Sequence, residues 1–409
     1  MPQLESQPEL NIGTLGHVDH GKTTLVQAIT GVWAAKHSEE LRRGITIKLG
    51  YADAEIRRCP NCSAPECYTT LRECPHHKTK TEFLRAVSFV DAPGHELLMT
   101  TTLAGTVVMD GALFVIAADE KCPQPQTREH LVAAEIAGVK DVIVAQNKID
   151  VVSREDAIKS YREISEFAEG TILGGAPIIP VSAQHGANVD LLIEAIENYL
   201  PTPKRDPSKP PIMPVIRSFD ANRPGTPGDK IIGGVIGGSL VQGVFRVDDE
   251  IEIRPGAYVE SAGSYEPLAT MISSLRAGGR GVEEARPGGL IGVGTLLDPS
   301  LTKGDGLVGN IAGKPDMLPD VRDELTIEYH LLKHVVGTQE IIKAEPITKG
   351  ETLVLNVGAA RSQGNTVSVT RDLIEVKLST PVCAEVGSRV AISRRILGRW
   401  RLVGYGSIA

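Results

Sequence analysis

Between residues 10 and 200, short apolar runs alternate with stretches in which apolar residues recur every three or four positions. The short runs have the continuous hydrophobicity of strands that are buried on both faces of a parallel sheet. The longer stretches have the period of amphipathic helices, and one follows each of the last four runs. The alternation predicts a doubly wound α/β domain with a mainly parallel sheet. Its predicted strands are 10–16, 85–92, 111–118, 142–148 and 176–183.

The pattern changes near residue 199. The stretch 199–214 contains six prolines and no periodicity, which is typical of a linker between domains. Strand-like runs follow, separated by turns rich in Gly, Pro and Asp, and they indicate β-barrels. A weaker break lies at 313–324. We therefore expect an α/β domain followed by two β-barrel domains, with boundaries at 1–203, 204–318 and 319–409.

Composition narrows the function classes. The chain is 41% hydrophobic and 23% charged, which excludes a mainly disordered protein. Its formal net charge of -8 argues against non-specific nucleic-acid binding, although a local basic face for a structured RNA stays open. No apolar run reaches the ~18 residues that cross a bilayer. The polar N-terminus lacks the features of a signal peptide, so we expect a cytoplasmic protein without a membrane partner.

The segment GHVDHGKT at 16–23 fits the phosphate-binding pattern G-x-x-x-x-G-K-[ST], between a predicted strand and a predicted helix. Gly16 and Gly21 let the backbone curl around phosphates, which the amides at the helix N-terminus bind. Lys22 is expected to neutralise phosphate charge, and the Thr23 hydroxyl to ligate Mg²⁺. The residues predicted to hold the phosphates are Asp19, His20, Gly21, Lys22, Thr23 and Thr24.

DAPG at 91–94 ends the strand predicted at 85–92. Asp91 is expected to hold Mg²⁺ through a water, and the amide of Gly94 to sense a terminal phosphate. His95 follows directly and is in a position to point at an attacking water. Alone the motif is also a good turn. Its place after the phosphate loop, on the next strand of a nucleotide fold, favours the functional interpretation.

NKID at 147–150 also follows a predicted strand. Asp150 accepts two hydrogen bonds from guanine that adenine cannot donate, so the motif selects GTP over ATP. Asn147 is expected to brace the loop and the stem of Lys148 to cover the base, with Ile149 between them. The last strand ends in a segment whose middle amide is placed to reach guanine O6: Ser182, Ala183 and Gln184.

The segment RRGITI at 42–47 lies between the phosphate loop and DAPG. A threonine there can complete the Mg²⁺ shell when the terminal phosphate is present, and we assign this role to Thr46. Such a segment is expected to order and disorder with the nucleotide. An ordinary strand start is the alternative interpretation.

Four of the six cysteines fall between positions 59 and 74, which in a cytosolic protein indicates a metal site before disulfides. CPNC at 59–62 and CPHH at 74–77 form two knuckles in an insertion at about 57–80. They supply a Cys₃His set suited to a structural, tetrahedral Zn²⁺. Cys67 is the alternative fourth ligand, and free surface thiols are the alternative to any metal. The predicted ligands are Cys59, Cys62, Cys74 and His77.

The C-terminal stretch 388–406 combines five arginines with Trp400 and Tyr405. Arginine and aromatic side chains can form an RNA-contact face. Two barrel strands with a solvated arginine side explain the same pattern, and the sequence leaves both interpretations open.

With these motifs in hand, the chain resembles the translational GTPases that carry aminoacyl-tRNA. GHVDHGKT, RGITI, DAPGH, NKID and SA occur in the order of that family. Within it, the cysteine insertion before DAPGH and phrases such as PQPQTREHL, GGVIGGSLVQG and GRWRLVGYG are similar to the gamma subunits of archaeal and eukaryotic translation initiation factor 2. The resemblance covers essentially the whole chain.

The resemblance implies a GTPase that binds GTP/GDP, Mg²⁺ and structural Zn²⁺. It implies that the GTP-bound protein binds initiator methionyl-tRNA, assembles with alpha and beta subunits and delivers the tRNA to the small ribosomal subunit. Val18 and Ile45 match an apolar gate that flanks the catalytic histidine, His95. Asp19 and the carbonyl of Gly44 are implied in a second Mg²⁺ site. His77 stands where the family often has a fourth cysteine.

Two other functions share this architecture. An elongation factor, including the selenocysteine-specific kind, would carry other aminoacyl-tRNAs, and the cysteine insertion argues against it. A GTPase subunit of a sulfate adenylyltransferase shares the G domain and the barrels. A purely structural nucleotide site is disfavoured by the intact Lys22, Thr23, Asp91 and His95.

Overall fold

A computed structural model of the chain describes residues 3–34, 49–95, 99–336 and 342–409. They fall into two compact units. The first holds the chain up to Pro203, together with Val336, and the second holds the remainder of the described chain. An α/β domain followed by two β-barrels is confirmed as the fold class. The exact domain boundaries stay predictions.

A seven-stranded sheet is the centre of the first unit. Its strands are β1 (Leu10–Leu15), β2 (Gly50–Arg58), β3 (Tyr68–Thr69), β4 (Glu82–Asp91), β5 (Gly111–Ala117), β6 (Asp141–Asn147) and β7 (Ile178–Pro180). Their order across the sheet is β3-β2-β4-β1-β5-β6-β7. The strands from β4 to β7 in this order are parallel, while β2 and β3 pair antiparallel at one edge.

Described helices connect the strands: α1 (Lys22–Thr30), α2 (Met99–Thr106), α3 (Pro125–Ala137), α4 (Arg154–Ala168) and α5 (Val189–Tyr199). One hydrophobic cluster joins α1 and α5 to alternate positions of β1, β4, β5 and β6. Because neighbouring strand residues point to opposite faces, the other buried positions face the opposite side of the sheet. The sheet is therefore covered on both faces, and its polar loops at the carboxyl ends of the strands are free to form a site.

The antiparallel strand β2, which lies between β3 and β4, was not predicted as a strand. Its sequence contains Glu55 and Arg57, both of which are buried. The Arg57 guanidinium donates to the Glu55 carboxylate at 2.7 Å and to the Thr81 hydroxyl at 3.0 Å. Paired charges of this kind are tolerated inside a protein, but they interrupt the apolar pattern by which a strand is recognised.

The first barrel of the second unit is a ring of six antiparallel strands: β8 (Ile212–Phe219), β9 (Val235–Gly238), β15 (Ile291–Thr295), β12 (Ser264–Ala277), β11 (Glu250–Val259) and β16 (Ile311–Gly313). Pairing of β16 with β8 closes the ring. Apolar side chains such as Met213, Phe245 and Ile272 fill its core. The smaller elements are β10 (Phe245–Arg246), β13 (Arg280–Val282), β14 (Glu284–Ala285) and α6 (Pro299–Thr302).

The second barrel is also closed and six-stranded. It contains β17 (Val321–Leu331), β18 (Thr352–Val357), β19 (Ala360–Val369), β20 (Leu373–Cys383), β21 (Arg389–Ile396) and β22 (Arg399–Ile408). The ring order is β17-β20-β19-β18-β21-β22. Its core includes Ile327, Leu353 and Val376.

Candidate functional site

The loop between β1 and α1 uses backbone conformations that glycine favours. Gly16 has φ 138° and Gly21 has φ 88°. A Cβ on Gly16 would lie 2.2 Å from the Val115 carbonyl oxygen, so the loop lies directly against β5. This close approach requires a residue without a side chain.

Lys22 begins α1 and has a buried side chain. Its ammonium donates to the carbonyl oxygens of Gly16 at 3.0 Å and His17 at 2.6 Å. Burial lowers the pKa of Lys22 to about 8, although the carboxylates of Asp91 and Asp19 oppose this shift. A buried ammonium that is held by neutral carbonyl groups at the N-terminus of a helix is suited to an anionic ligand such as a phosphate.

Gly21→Ala is expected to weaken nucleotide binding by about 5- to 160-fold, the effect of about 1–3 kcal/mol of backbone strain at the site. The new Cβ would lie 2.4 Å from Asn147 Nδ2, at a φ that alanine rarely adopts. Gly31→Ala is the matched control at the other end of α1. Gly31 has φ 70° but nothing within 4 Å of a Cβ. Equal loss of fluorescent-GDP affinity in the two variants, measured with their melting temperatures, would contradict this prediction.

The end of β4 brings together two of the predicted Mg²⁺ residues, Thr23 and Asp91. Thr23 Oγ1 donates to one carboxylate oxygen of Asp91 at 2.6 Å, and Thr14 Oγ1 donates to the other at 2.7 Å. Asp91 is fully buried. A hydroxyl and a carboxylate at this separation are oxygen ligands of the type that Mg²⁺ prefers, so these residues fit the ion.

The DAPG loop lies directly against the phosphate loop. A Cβ on Gly94 would be 2.4 Å from Lys22 Nζ and 2.9 Å from the Val18 amide nitrogen. His95 follows and is half-buried, as is Val18. The other residues predicted for this part of the site lie outside the described residues: Gly44, Ile45 and Thr46.

Asn147 joins two of the predicted loops at the end of β6. Its side-chain NH₂ donates to the His20 carbonyl oxygen at 2.9 Å, and its side-chain oxygen accepts from the Ala183 amide at 3.0 Å. The amide thus connects the phosphate loop to the segment after β7. The structure brings together three motifs that are far apart in the sequence.

The predicted base-selecting carboxylate, Asp150, is partly exposed beside this junction. Hydrogen bonding by the Ser182 side chain lowers the pKa of Asp150. His185 Nε2 lies 3.6 Å from an Asp150 oxygen, and Lys148 Nζ lies 3.3 Å from Asp119 Oδ2. An ionised carboxylate that is open to solvent on one side is an acceptor for two neighbouring donors on a ligand.

The cysteine insertion forms a compact group of four side chains. The ligand atoms of Cys59, Cys62, Cys74 and His77 all lie within 4.8 Å of one another. Cys62 Sγ is 3.7 Å from Cys74 Sγ, and His77 Nδ1 is 3.2 Å from Cys62 Sγ. A tetrahedral Zn²⁺ with Zn–S bonds of about 2.3 Å separates two sulfur ligands by about 3.8 Å. The donor set therefore fits a metal ion.

Cys67 lies outside this group. Its side chain is fully buried, and its carbonyl oxygen accepts a hydrogen bond from the Cys59 amide at 2.8 Å. Its thiol thus packs in the interior of the insertion while its backbone supports the first knuckle. Cys122 and Cys383, which lie outside the insertion, are buried free thiols.

Sequence reasoning missed a histidine at the phosphate loop. The Gly16 amide donates to Nδ1 of His130 on α3 at 2.8 Å. His130 was part of a predicted amphipathic helix, and no local motif marks it as a site residue. A polar side chain at a buried helical position was the only signal in the sequence.

The C-terminal arginines occupy β21 and β22 of the second barrel. Arg394 donates to the carbonyl oxygens of Glu345 and Pro346, and Arg401 is buried. These two side chains support the barrel, while Arg389, Arg395 and Arg399 are exposed. The RNA-contact interpretation stays a prediction for the exposed ones.

Comparison with known families matches two parts of the chain. Residues 7–202 match the elongation factor Tu GTP-binding domain, and residues 323–408 match the C-terminal domain of initiation factor eIF2 gamma. Among the described residues, no helix combines the length and the apolar character that crossing a membrane requires.

Curated relatives are similar to the chain over its whole length. The translation initiation factor 2 subunit gamma of Pyrococcus abyssi is 63% identical over 404 residues, which covers 98% of each chain. That of Methanothermobacter thermautotrophicus is 59% identical over 407 residues and covers 99% of this chain and 100% of the relative. That of Archaeoglobus fulgidus is 58% identical, with 98% and 94% coverage.

Solved structures with a similar fold are more distant in sequence. A bacterial selenocysteine-specific elongation factor, EF-Sec, matches with a TM-score of 0.73 at 23% identity, over 98% of this chain and 58% of that one. The elongation factor SelB from Methanococcus maripaludis, solved with the GTP analogue GppNHp, matches with a TM-score of 0.71 at 22% identity, over 99% and 80%. At this identity the likeness concerns the fold alone.

Proposed function

Because the chain belongs to the family of translation initiation factor 2 gamma subunits, we propose that its GTP-bound form carries initiator methionyl-tRNA to the small ribosomal subunit. It is a GTP-binding initiation-factor subunit with a translational GTPase domain. The observation that supports a GTP-controlled carrier is the contact of Gly94 with Lys22. It places the DAPG loop directly against the group that meets the terminal phosphate.

The proposed nucleotide contacts follow the geometry of the site. Lys22 and the amides from Asp19 to Thr24 bind the phosphates, since the ammonium is buried at a helix N-terminus. Asp150 binds the guanine edge, Asn147 braces it, and Lys148 covers the base. The remaining base contacts are assigned to Ile149, Ser182, Ala183 and Gln184.

The proposed Mg²⁺ ligands are Thr23 directly, Asp91 through a water and Thr46. The hydrogen bond between Thr23 and Asp91 supports the first two. When bound, the ion neutralises charge on the phosphates. Asp19 and the Gly44 carbonyl are proposed for a second Mg²⁺ site on the family resemblance.

For hydrolysis, positioning and charge dominate because phosphoryl transfer needs little covalent chemistry from the protein. Lys22, Thr46 and the Gly94 amide stabilise the phosphates, and His95 orients the attacking water. Val18 and Ile45 hold His95 away until a partner completes the site. Intrinsic turnover is then slow, on the order of 10⁻⁴ to 10⁻² s⁻¹, as in other unstimulated GTPases.

His95→Ala is expected to leave binding of GTP and tRNA nearly intact and to lower stimulated hydrolysis at least about tenfold, or about 1.4 kcal/mol of transition-state stabilisation. The measurement is single-turnover hydrolysis on an initiation complex, beside equilibrium nucleotide binding. His95→Gln, which keeps a polar end on the side chain, is expected to lose less. Hydrolysis at the wild-type rate in His95→Ala would remove the histidine from the mechanism, and lost GTP binding would make it structural.

We also propose a structural Zn²⁺ held by Cys59, Cys62, Cys74 and His77. The convergence of their ligand atoms supports this set over one with Cys67. Four protein ligands leave no open coordination position, so the ion would stabilise the insertion and take no part in hydrolysis.

The proposed assembly includes alpha and beta subunits and the small ribosomal subunit, and the proposed location is the cytoplasm. Similarity to gamma subunits along the whole chain supports this assignment. It also disfavours an elongation factor or a sulfate adenylyltransferase subunit.

We propose domain boundaries at 203 and 318, supported by the division of the chain at Lys204 and by the two closed barrels.

A pull-down with charged tRNAs tests the carrier function. The GTP-loaded protein is expected to retain initiator methionyl-tRNA, and the GDP-loaded protein to release it. Elongator methionyl-tRNA is the matched control, since it carries the same amino acid. Retention of both tRNAs would indicate an elongation-factor type of carrier, and retention of neither would favour a metabolic GTPase subunit.

A further inference from the structure

The phosphate loop is held by a side chain that comes from outside every nucleotide motif. His130 lies in the middle of α3, and its side chain is almost fully buried, at 2% exposure. Its Nδ1 accepts a hydrogen bond from the Gly16 amide at 2.8 Å. The bond therefore joins α3, the helix that follows β5, to the first residue of the phosphate loop.

The bond determines the protonation state of the histidine. A backbone N–H can only donate, so Nδ1 of His130 must be unprotonated and the ring proton lies on Nε2. Burial holds the pKa of His130 well below its usual value, and the neighbouring Lys22, His17 and His20 lower it further. The imidazole is therefore a neutral acceptor at physiological pH.

Gly16 transmits this contact to the phosphate-binding amine. While its N–H is bound by His130, its carbonyl oxygen accepts from the Lys22 ammonium at 3.0 Å. The Val115 carbonyl closes the remaining side of the residue, since a Cβ there would collide at 2.2 Å. The orientation of the Gly16 backbone is thus set by three neighbours, and one end of it holds the Lys22 side chain.

We propose that His130 is a positioning residue for nucleotide binding, which fixes the Gly16 backbone and through it the Lys22 ammonium. The role deepens the proposed function, because it rests on a guanine nucleotide at this loop. His130 itself is separated from the ligand by the loop and takes no part in the chemical step. Its removal is expected to act on nucleotide affinity and release.

Two substitutions separate the hydrogen bond from the bulk of the side chain. His130→Leu removes the acceptor and leaves a buried amide unpaired, so release of a fluorescent GDP analogue should become about tenfold faster. His130→Asn restores an acceptor, because its Oδ1 is attached to Cγ as the imidazole Nδ1 is. Release from this variant should stay within about threefold of the wild type.

Leu131→Ala is the matched control for lost stability. Leu131 is also buried on α3, and the substitution should lower the melting temperature without changing GDP release. Hydrogen exchange at the Gly16 amide, measured without nucleotide, should be faster in His130→Leu than in His130→Asn. Neither hydrogen exchange at the Gly16 amide nor GDP release requires tRNA. Failure of the tRNA-carrier function can therefore be distinguished from failure of the role proposed for His130.

The proposal is overturned if His130→Leu releases GDP at the wild-type rate with an equally protected Gly16 amide. It is also overturned if His130→Leu, His130→Asn and Leu131→Ala all accelerate release in proportion to their loss of stability. Fast release in His130→Leu together with rescue in His130→Asn supports it.

Discussion

Asp150→Asn is expected to weaken GTP binding by at least about 100-fold, or about 3 kcal/mol, because guanine would lose one of its two hydrogen bonds to the carboxylate and keep the other only to a neutral oxygen. The asparagine side chain offers one acceptor and one donor. Xanthine carries an oxygen where guanine carries its 2-amino group, so it accepts from the new NH₂ group. Binding of xanthosine triphosphate should therefore improve while binding of GTP falls.

A competition assay with GTP, ATP and xanthosine triphosphate measures this exchange of preference. Asp141→Asn is the matched control, since Asp141 is exposed at the start of β6, the strand whose following loop contains Asp150. It should leave the order of the three nucleotides unchanged. An unchanged preference in Asp150→Asn would remove the carboxylate from base selection, because a site built on paired hydrogen bonds discriminates strongly against a mismatch.

Contacts between loops at the carboxyl ends of the parallel strands could be anticipated from the sequence. Thr23 and Asp91 were predicted to share a metal ion, and their side chains lie 2.6 Å apart in the structure. The reason is topological: β1 and β4 are neighbouring parallel strands, so the segments that follow them meet at one edge of the sheet. Short motifs at strand ends therefore carry most of the site.

Support from outside the motifs could not be anticipated. His130 and Arg85 both lie inside elements that were predicted from their apolar pattern. The Arg85 guanidinium donates to the Ile196 and Leu200 carbonyl oxygens at the end of α5. Such partners depend on which elements pack together, and a pattern of apolar positions says nothing about a polar bond across that packing.

The barrels also combine features that the sequence predicts with features that it does not. Turns and alternating residues indicated strands, but closure depends on register. β11 and β12 pair with a register shift between Ile253 and Ala257, and β17 and β20 shift between Arg322 and Glu324. Irregularities of this kind bend strands into a closed ring, and they have no reliable signature in a single sequence.

In the cysteine insertion, the largest expected effect is the loss of bound Zn²⁺ when one of its ligands is replaced. The wild type should contain one Zn²⁺ per chain, and Cys74→Ser should abolish stoichiometric binding, because a structural site contributes about 10–16 kcal/mol of apparent binding energy only with its full set of ligands. Cys67→Ser is the matched control. It replaces a buried thiol of the same insertion that lies outside the four-residue group.

Metal analysis after dialysis, with hydrogen exchange on the same samples, measures both the ion and its structural effect. Loss of zinc should increase exchange at 57–80 more than in the central strands, since the knuckles are an insertion and the main core is formed by β1, β4, β5, β6 and their helices. His77→Ala should also lose the ion if it is the fourth ligand. Zinc lost in Cys67→Ser but retained in His77→Ala would instead assign the fourth position to Cys67, against the distances of 3.2 and 3.8 Å that join His77 Nδ1 to Cys62 Sγ and Cys74 Sγ.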